Sequence, residues 1–257
     1  LADGPNERIQ AVIDCKVINA MVKLLDQPDP VLTPALRFVG NVVTGSDTQT
    51  QEVVDAGALP RLLRLLAGVK KETRKEAAWA CSNVTAGNQS QIQAVIDAGL
   101  MPPILDMLRD DDMQVRKEAL WVVTNAVSGG SREQRAYLAA QGCIPLLVTW
   151  LRTEEASEDK FGRTQTILES LEELLQSGER DQVDAAAPAA EQSANPHVAW
   201  LTEAGGVQVL EAVSNQFAAS GDATNHGIDT ARDILQKYFG IEAPARGSPS
   251  AADETAA

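Results

Sequence analysis

One phrase, written twice at a fixed spacing, constrains this chain more than anything else in it. Lys75-Glu76-Ala77-Ala78-Trp79 followed by Asn83, and Lys117-Glu118-Ala119-Leu120-Trp121 followed by Asn125, both read Lys-Glu-Ala-x-Trp-x-x-x-Asn, with Ser82 and Thr124 just before the asparagines. Trp79 to Trp121 is 42 residues, and so is Asn83 to Asn125. A further 42 residues back stands Asn41, with Arg37 in the tryptophan's place. A fixed period of this length with no strand signal is the mark of a stack of helical units, each packing on its neighbours. Trp and Asn four apart share one helix face, a turn from each other. Stacking the units then sets a row of tryptophans beside a row of asparagines.

The segments between these phrases repeat as well. Ile9-Gln10-Ala11-Val12-Ile13-Asp14 recurs letter for letter as Ile92-Gln93-Ala94-Val95-Ile96-Asp97, with Val53-Val54-Asp55-Ala56-Gly57 and Leu138-Ala139-Ala140-Gln141-Gly142 in the same slot. Each reads as a short helix stopped by Gly or its equivalent. A second helix follows each time, at Val17 to Leu25, Leu59 to Leu66, Met101 to Leu108 and Ile144 to Leu151, with Leu and Ile at three- and four-residue steps. Pro60, Pro102 and Pro145 fall in its first turn, where proline costs little. A longer third helix is expected at Pro30 to Val43, Glu72 to Thr85, Met113 to Ser128 and Lys160 to Gln176. Three helices per unit favour an armadillo-type solenoid over two-helix HEAT units, and the fold class is all-α.

Residues 1–177 are thus expected to be consecutive repeats, 178–195 a flexible insertion rich in Ala, Gln and Asp, 196–240 a final repeat, and 241–257 a solvated, disordered tail. The final unit reads as Leu201-Thr202-Glu203-Ala204-Gly205, then Val207 to Val213, then Asn225 to Phe239. The chain opens at Leu1 on what resembles the last turn of a repeat, so it reads as a fragment.

Aromatic residues make up 4% of the chain, so two tryptophans at equivalent positions need a reason. Net charge is −14, which disfavours sequence-independent nucleic-acid binding and suits basic partners; plain solubility would account for the charge equally well. Cys15, Cys81 and Cys143 are scattered with no C-x-x-C pair, the pattern of free, mostly packed thiols in a reducing compartment. No apolar run is long enough to span a membrane.

The Trp/Asn face suggests a chemistry. Neighbouring helices sit roughly 8–10 Å apart, and an extended peptide advances about 3.3–3.6 Å per residue. One repeat therefore spans about three peptide residues. An Asn carboxamide can hold a peptide N–H and C=O together, fixing a backbone without reading its sequence. Indole faces leave slots where a Lys or Arg stem can lie, with a cation–π gain on the order of 0.5–2 kcal/mol. Glu76 and Glu118, one turn before each Trp, can meet the charged head. A lone Trp in a helical repeat is ordinarily core. Asn41, Asn83 and Asn125 in register weigh against that, because Asn is a poor interior helix residue and would need buried partners. Trp150 and Trp200 lack this context and read as structural.

These residues resemble a known family. Leu36-Arg37-Phe38-Val39-Gly40-Asn41, Val43-Thr44-Gly45, Thr85-Ala86-Gly87-Asn88, Ser128-Gly129-Gly130-Ser131, both Trp/Asn phrases and Tyr238-Phe239-Gly240 are similar to the C-terminal half of importin-α, the nuclear-import adaptor. The resemblance covers about Leu1 to Gly240 and implies a right-handed armadillo superhelix. It implies binding of lysine- and arginine-rich nuclear localisation signals at the family's minor site. It places backbone contacts on Asn41, Asn83 and Asn125, and side-chain slots on Trp79 and Trp121. Glu76, Glu118, Thr44 and Asp47 then meet the ligand's positive groups, with Arg37, Gly45 and Ser82 completing the peptide-binding set. It also implies shuttling between cytoplasm and nucleus and an export factor at the last repeat. Importin-β is expected to bind only through an N-terminal segment, and no Arg/Lys cluster precedes the repeats. Where the next Trp/Asn pair would fall stand Glu169 and Glu173, so the row has two indole rungs.

Other chemistries fit less well. His197 and His226 have no Cys at metal-ligand spacing and no patterned Ser, and read as surface histidines, so neither metal, cofactor nor catalytic site is expected. Gly129-Gly130 reads as a helix stop. Lys70-Lys71 with Arg74-Lys75 reads as a helix start in solvent. The runner-up is a catenin-like armadillo scaffold, whose groove is expected to be basic and to take acidic ligands.

Overall fold

In the computed structural model, residues 5–153, 160–179, 195–219 and 226–242 are described. They form helices and turns, with no strand among them. The chain falls into two compact units, Leu1–Cys143 and Ile144–Ala257.

The first unit holds three consecutive helix triplets. These are α1 (Asn6–Asp14), α2 (Ile18–Leu24) and α3 (Leu32–Val42); α4 (Asp47–Asp55), α5 (Ala58–Leu66) and α6 (Lys71–Thr85); and α7 (Gln89–Asp97), α8 (Met101–Asp110) and α9 (Met113–Gly129). A further first helix, α10 (Arg132–Ala140), follows. The boundaries of the second and third helices fall within two residues of those the periodicity predicts, whereas each first helix begins three to six residues earlier than its repeated stretch. The core is continuous and aliphatic: Leu36, Leu62, Leu66, Ile92, Ile104, Leu108 and Leu120 are each at most 2% exposed.

Local chemistry fixes the corner of each unit. Gly57, Gly99 and Gly142 adopt φ of +79°, +74° and +89°, the left-handed conformation in which a side chain is strained. In the first triplet Lys16 takes that place at φ +57°, so the stop is kept without glycine.

Two kinds of polar contact clamp successive repeats. The first is a glutamine clasp. Gln49, Gln91 and Gln134 each close a capping box on the N-terminus of α4, α7 and α10. Each amide then reaches back one repeat: Gln49 Nε2 donates to the Asn6 carbonyl at 2.9 Å, Gln91 Nε2 to that of Asp47 at 2.7 Å, and Gln134 Nε2 to that of Gln89 at 2.9 Å. These buried side chains thereby satisfy the orphan donors of one helix and bond the helix below it.

The second clamp is ionic. Arg74 grips Asp111 with two nitrogens at 2.7 and 2.6 Å and donates to the Gly68 and Val69 carbonyls. Lys70 Nζ lies 2.6 Å from Asp29, and Lys71 Nζ 3.5 Å from Asp112. The hydrogen bonds from Lys70 and Thr33 pull the Asp29 carboxyl down to about 2. The basic run from Lys70 to Arg74 is therefore not a bare helix start; it ties its repeat to the ones before and after.

The second unit contains α11 (Cys143–Thr153), α12 (Lys160–Ser177), α13 (Pro196–Glu203), α14 (Gly206–Ala219) and α15 (His226–Phe239). Trp150 is 1% exposed, and Trp200 stacks on His197 at a 5.2 Å centroid separation. His197 corrects the expectation of a surface histidine. It is 4% exposed, and its Nδ1 sits 2.6 Å from the Leu174 carbonyl, at the C-terminal end of α12. The side chain of His226 lies outside the described residues. Asn195 caps α13 through its Oδ1 and donates from Nδ2 to the Leu175 carbonyl at 2.7 Å. At the other flank of the expected insertion, Glu179 accepts from Tyr238 at 2.6 Å and pairs with Lys237 at 2.9 Å. The body of that insertion, 180–194, and the tail from 243 onward lie outside the described residues.

Candidate functional site: the Trp/Asn face of α3, α6 and α9

The third helices α3, α6 and α9 carry the repeated phrase. Within each phrase the residues alternate in depth. Ala77, Ala78, Ala80 and Cys81 in α6, and Ala119, Leu120, Val122 and Val123 in α9, are buried. Trp79, Asn83, Trp121 and Asn125 are all half-buried, as is Asn41. Burial of the small and aliphatic residues fixes each helix's rotation, and that rotation leaves the indoles and carboxamides at the surface. This depth pattern is that of a lining. Trp150, in contrast, is core.

The two rungs have different neighbours. The Trp79 ring lies directly on α3: a Cβ at Gly40 would sit 2.2 Å from its Cζ3 and 2.7 Å from its Cε3. Only a residue without a side chain lets the ring approach so closely. The position equivalent to Gly40 on α6 is Ser82, 5% exposed, whose Oγ donates to the Trp79 carbonyl at 2.9 Å.

The asparagines differ too. Asn125 Nδ2 donates to the Ser82 carbonyl at 2.9 Å, which holds the carboxamide in one orientation. Asn83 Nδ2 is buried and has no acceptor among the described residues. An unmet buried donor is a departure from the norm for folded chains.

Charge is arranged around the indoles. Arg37 Nε stands 3.5 Å from Glu76 Oε1, with side chains 64% and 24% exposed. Burial lifts the Glu118 carboxyl above its ordinary value; Lys75 works against that shift and the charge of Glu76 adds to it. A shallow depression of about 160 Å³ is lined by Leu36 and Arg37 of α3, Thr73, Lys75 and Glu76 of α6, and Gln114 of α9, among others.

The remaining residues expected at the site are engaged within the chain. Thr44 Oγ1 donates to the Asn41 carbonyl at 2.7 Å. Asp47 accepts from Asn88 Nδ2 at 3.1 Å, and its carbonyl takes the Gln91 amide. A Cβ at Gly45 would lie 2.1 Å from Gln49 Oε1, so that glycine makes room for the clasp. Thr44, Gly45 and Asp47 thus stand where one repeat joins the next, while Arg37, Glu76, Trp79, Asn83, Glu118, Trp121 and Asn125 share the helix-3 face. The sequence reading did not find the glutamine clasp. Its signal was present as Gly-Ser-x-x-Gln, Gly-Asn-x-x-Gln and Gly-Ser-x-x-Gln ending at Gln49, Gln91 and Gln134. Among the described residues there is no cluster of metal-ligating side chains.

The sequence model of the armadillo/beta-catenin-like repeat matches residues 46–86 and 88–128. Importin subunit alpha-1a of Oryza sativa subsp. japonica is 55% identical over 84 residues, 32% of this chain and 16% of that protein. Importin subunit alpha-7 of Arabidopsis thaliana is 52% identical over 81 residues, 31% of this chain and 15% of that protein. The matches thus span about a sixth of the length of these relatives. A designed armadillo repeat protein, YIII(Dq.V1)4CPAF, solved in complex with the peptide (KR)4, superposes with a TM-score of 0.72 at 30% identity, over 92% of this chain and 88% of that one. A second design, YIII(Dq)4CqI, gives a TM-score of 0.74 at 28% identity. The chain belongs to the armadillo-repeat family, and over some 84 residues its sequence is similar to that of importin α subunits.

Proposed function

We propose that this chain is part of a nuclear import adaptor and that its α3–α6–α9 face binds lysine- and arginine-rich nuclear localisation signals in extended form. The observation that carries the reading is the pairing of half-exposed indoles with half-buried carboxamides in register on α6 and α9, one of those carboxamides with an unfilled donor. A core would not leave two tryptophans half open or an amide unsatisfied. A peptide backbone accounts for the asparagines, and cationic side chains for the ring faces beside Glu76 and Glu118.

Two kinds of likeness support the ligand class. The sequence relatives are importin α subunits, and a designed armadillo protein of similar fold is solved with an alternating Lys/Arg peptide. In this reading Asn41, Asn83 and Asn125 hold the backbone, Trp79 and Trp121 flank basic side chains, and Glu76 and Glu118 meet their charges. The same family reading gives the chain a place in traffic between cytoplasm and nucleus, with an export factor docking at the last repeat and importin-β engaged through a separate N-terminal segment. It assigns a binding role and no catalysis.

Calorimetric titration with three peptides of equal length tests the reading. A Lys/Arg peptide should bind, and more weakly as salt rises, because part of the attraction is between exposed charges. A neutral peptide should bind poorly and an acidic one not at all. Preference for the acidic peptide would favour the catenin-like scaffold and sink this proposal.

A further inference from the structure

Arg37 occupies the tryptophan position of its repeat and lines one depression with residues of α6. Its guanidinium pairs with Glu76, across the gap between α3 and α6. The pair is long at 3.5 Å, and the arginine side chain is 64% exposed. Glu76 lines the same shallow depression as Arg37 and Lys75, one turn before Trp79. The carboxylate expected to greet a ligand's cation is therefore already matched by one from the chain itself.

We infer that Arg37 is a tethered competitor for Glu76, a specificity-setting residue that a bound ligand's cation must displace. The inference rests on the proposed binding of basic peptides to this face. An exposed ion pair at this distance contributes little to folding, so exchange of Arg37 for a ligand cation is cheap. It is not free, since the ligand gains Glu76 only as Arg37 loses it, and the displaced guanidinium still repels the newcomer. A single Lys contacting Trp79 thus gains little from Glu76. A peptide that also fills the Trp121 slot meets Glu118, which forms no ion pair among the described residues although the charge of Lys75 acts on it, and gains more. The device biases the face toward ligands with several basic residues and against isolated ones.

The test uses the full chain, the peptide (KR)4 and a neutral peptide of equal length as probes, and calorimetry at low and high salt. Arg37→Gln should bind (KR)4 roughly twofold to fivefold more tightly than the parent chain at low salt, the scale of one exposed ion pair. The gain should shrink as salt screens it. In a Glu76→Gln background the same Arg37→Gln change should gain less than about twofold, since the contested carboxylate is gone. Unchanged or weaker binding by Arg37→Gln would overturn the inference, because it would mean that the arginine positions Glu76 for the ligand. An equal gain in both backgrounds would also overturn it, leaving only general repulsion. If the parent chain binds (KR)4 no better than the neutral peptide, the binding reading itself fails, and this inference with it. Arg37 is exposed enough that unchanged thermal melts are expected for its variant.

Discussion

The two rungs of the Trp/Asn face are written in the same letters and are not the same site. Trp79 rests on the bare backbone of Gly40, beside an arginine that holds Glu76, with an asparagine whose amide donor is unfilled. Trp121 follows a helix that presents Ser82, beside a Glu118 that burial makes reluctant to ionise, with an asparagine bonded to the Ser82 carbonyl. In each case the phrase supplies the ring, the amide and the acid. The preceding repeat decides what they touch. A repeat protein can thus vary its binding steps one at a time by changing the neighbour and leaving the motif alone.

The largest effect expected from breaking this comparison is loss of either ring. Trp79→Ala and Trp121→Ala should each weaken a basic peptide by about 2 kcal/mol or more, since buried aromatic anchors dominate interfaces. Calorimetry reads the loss. Next comes the floor under one ring only. Gly40→Ala puts a methyl group where the Trp79 ring now lies and should displace it, costing roughly 1–3 kcal/mol in stability by overpacking. It should weaken peptides with a basic residue at the Trp79 slot, while a peptide confined to the Trp121 slot binds as before.

The asparagines sharpen the difference. Asn83→Ala removes no internal hydrogen bond and discards a buried unmet donor, so its melting temperature should be unchanged or slightly raised. Asn125→Ala forfeits the bond to the Ser82 carbonyl and should lose about 0.5–1.5 kcal/mol of stability. Both should weaken every extended ligand by a similar amount. Thermal melts beside the titrations separate the two.

The smallest effect concerns pH. The Glu118 carboxyl is raised by burial from its ordinary 4.5. The native state therefore holds this proton more tightly than the unfolded chain. The group's contribution to stability falls as pH rises from 4.5 through the folded-state value. A cation bound beside it reverses the shift, so peptide binding should release a proton in that interval and tighten as pH rises through it. Glu118→Gln should abolish both trends, as calorimetry in buffers of differing ionisation enthalpy can show.

Much of this was legible in the sequence because periodicity is a local signal repeated. The helix triplets, the Gly stops and the register of Trp79 with Trp121 and Asn83 with Asn125 follow from spacing alone. What spacing could not give are partners one repeat away. The Arg37–Glu76 pair and the Gln91–Asp47 bond join residues 39 and 44 apart, and neither partner announces the other. Gln49, Gln91 and Gln134 recur at spacings of 42 and 43, but spacing does not name the carbonyl one repeat away that each amide reaches. His197 misled for a different reason: its burial comes from the end of α12, across a segment whose composition suggested a break.

The central claim is that the indoles read basic side chains while the carboxamides hold backbone. The most direct measurement titrates the parent chain, Trp79→Ala and Asn83→Ala against two peptides that differ only in Lys or Ala at the Trp79 slot, with a melting curve for each variant. The account predicts that Trp79→Ala loses affinity mainly for the Lys peptide, that Asn83→Ala weakens both peptides equally, and that Asn83→Ala melts no lower than the parent. Equal losses for both peptides in the well-folded Trp79→Ala variant would contradict it, and would make the ring a support for the repeat instead of a reader of the ligand.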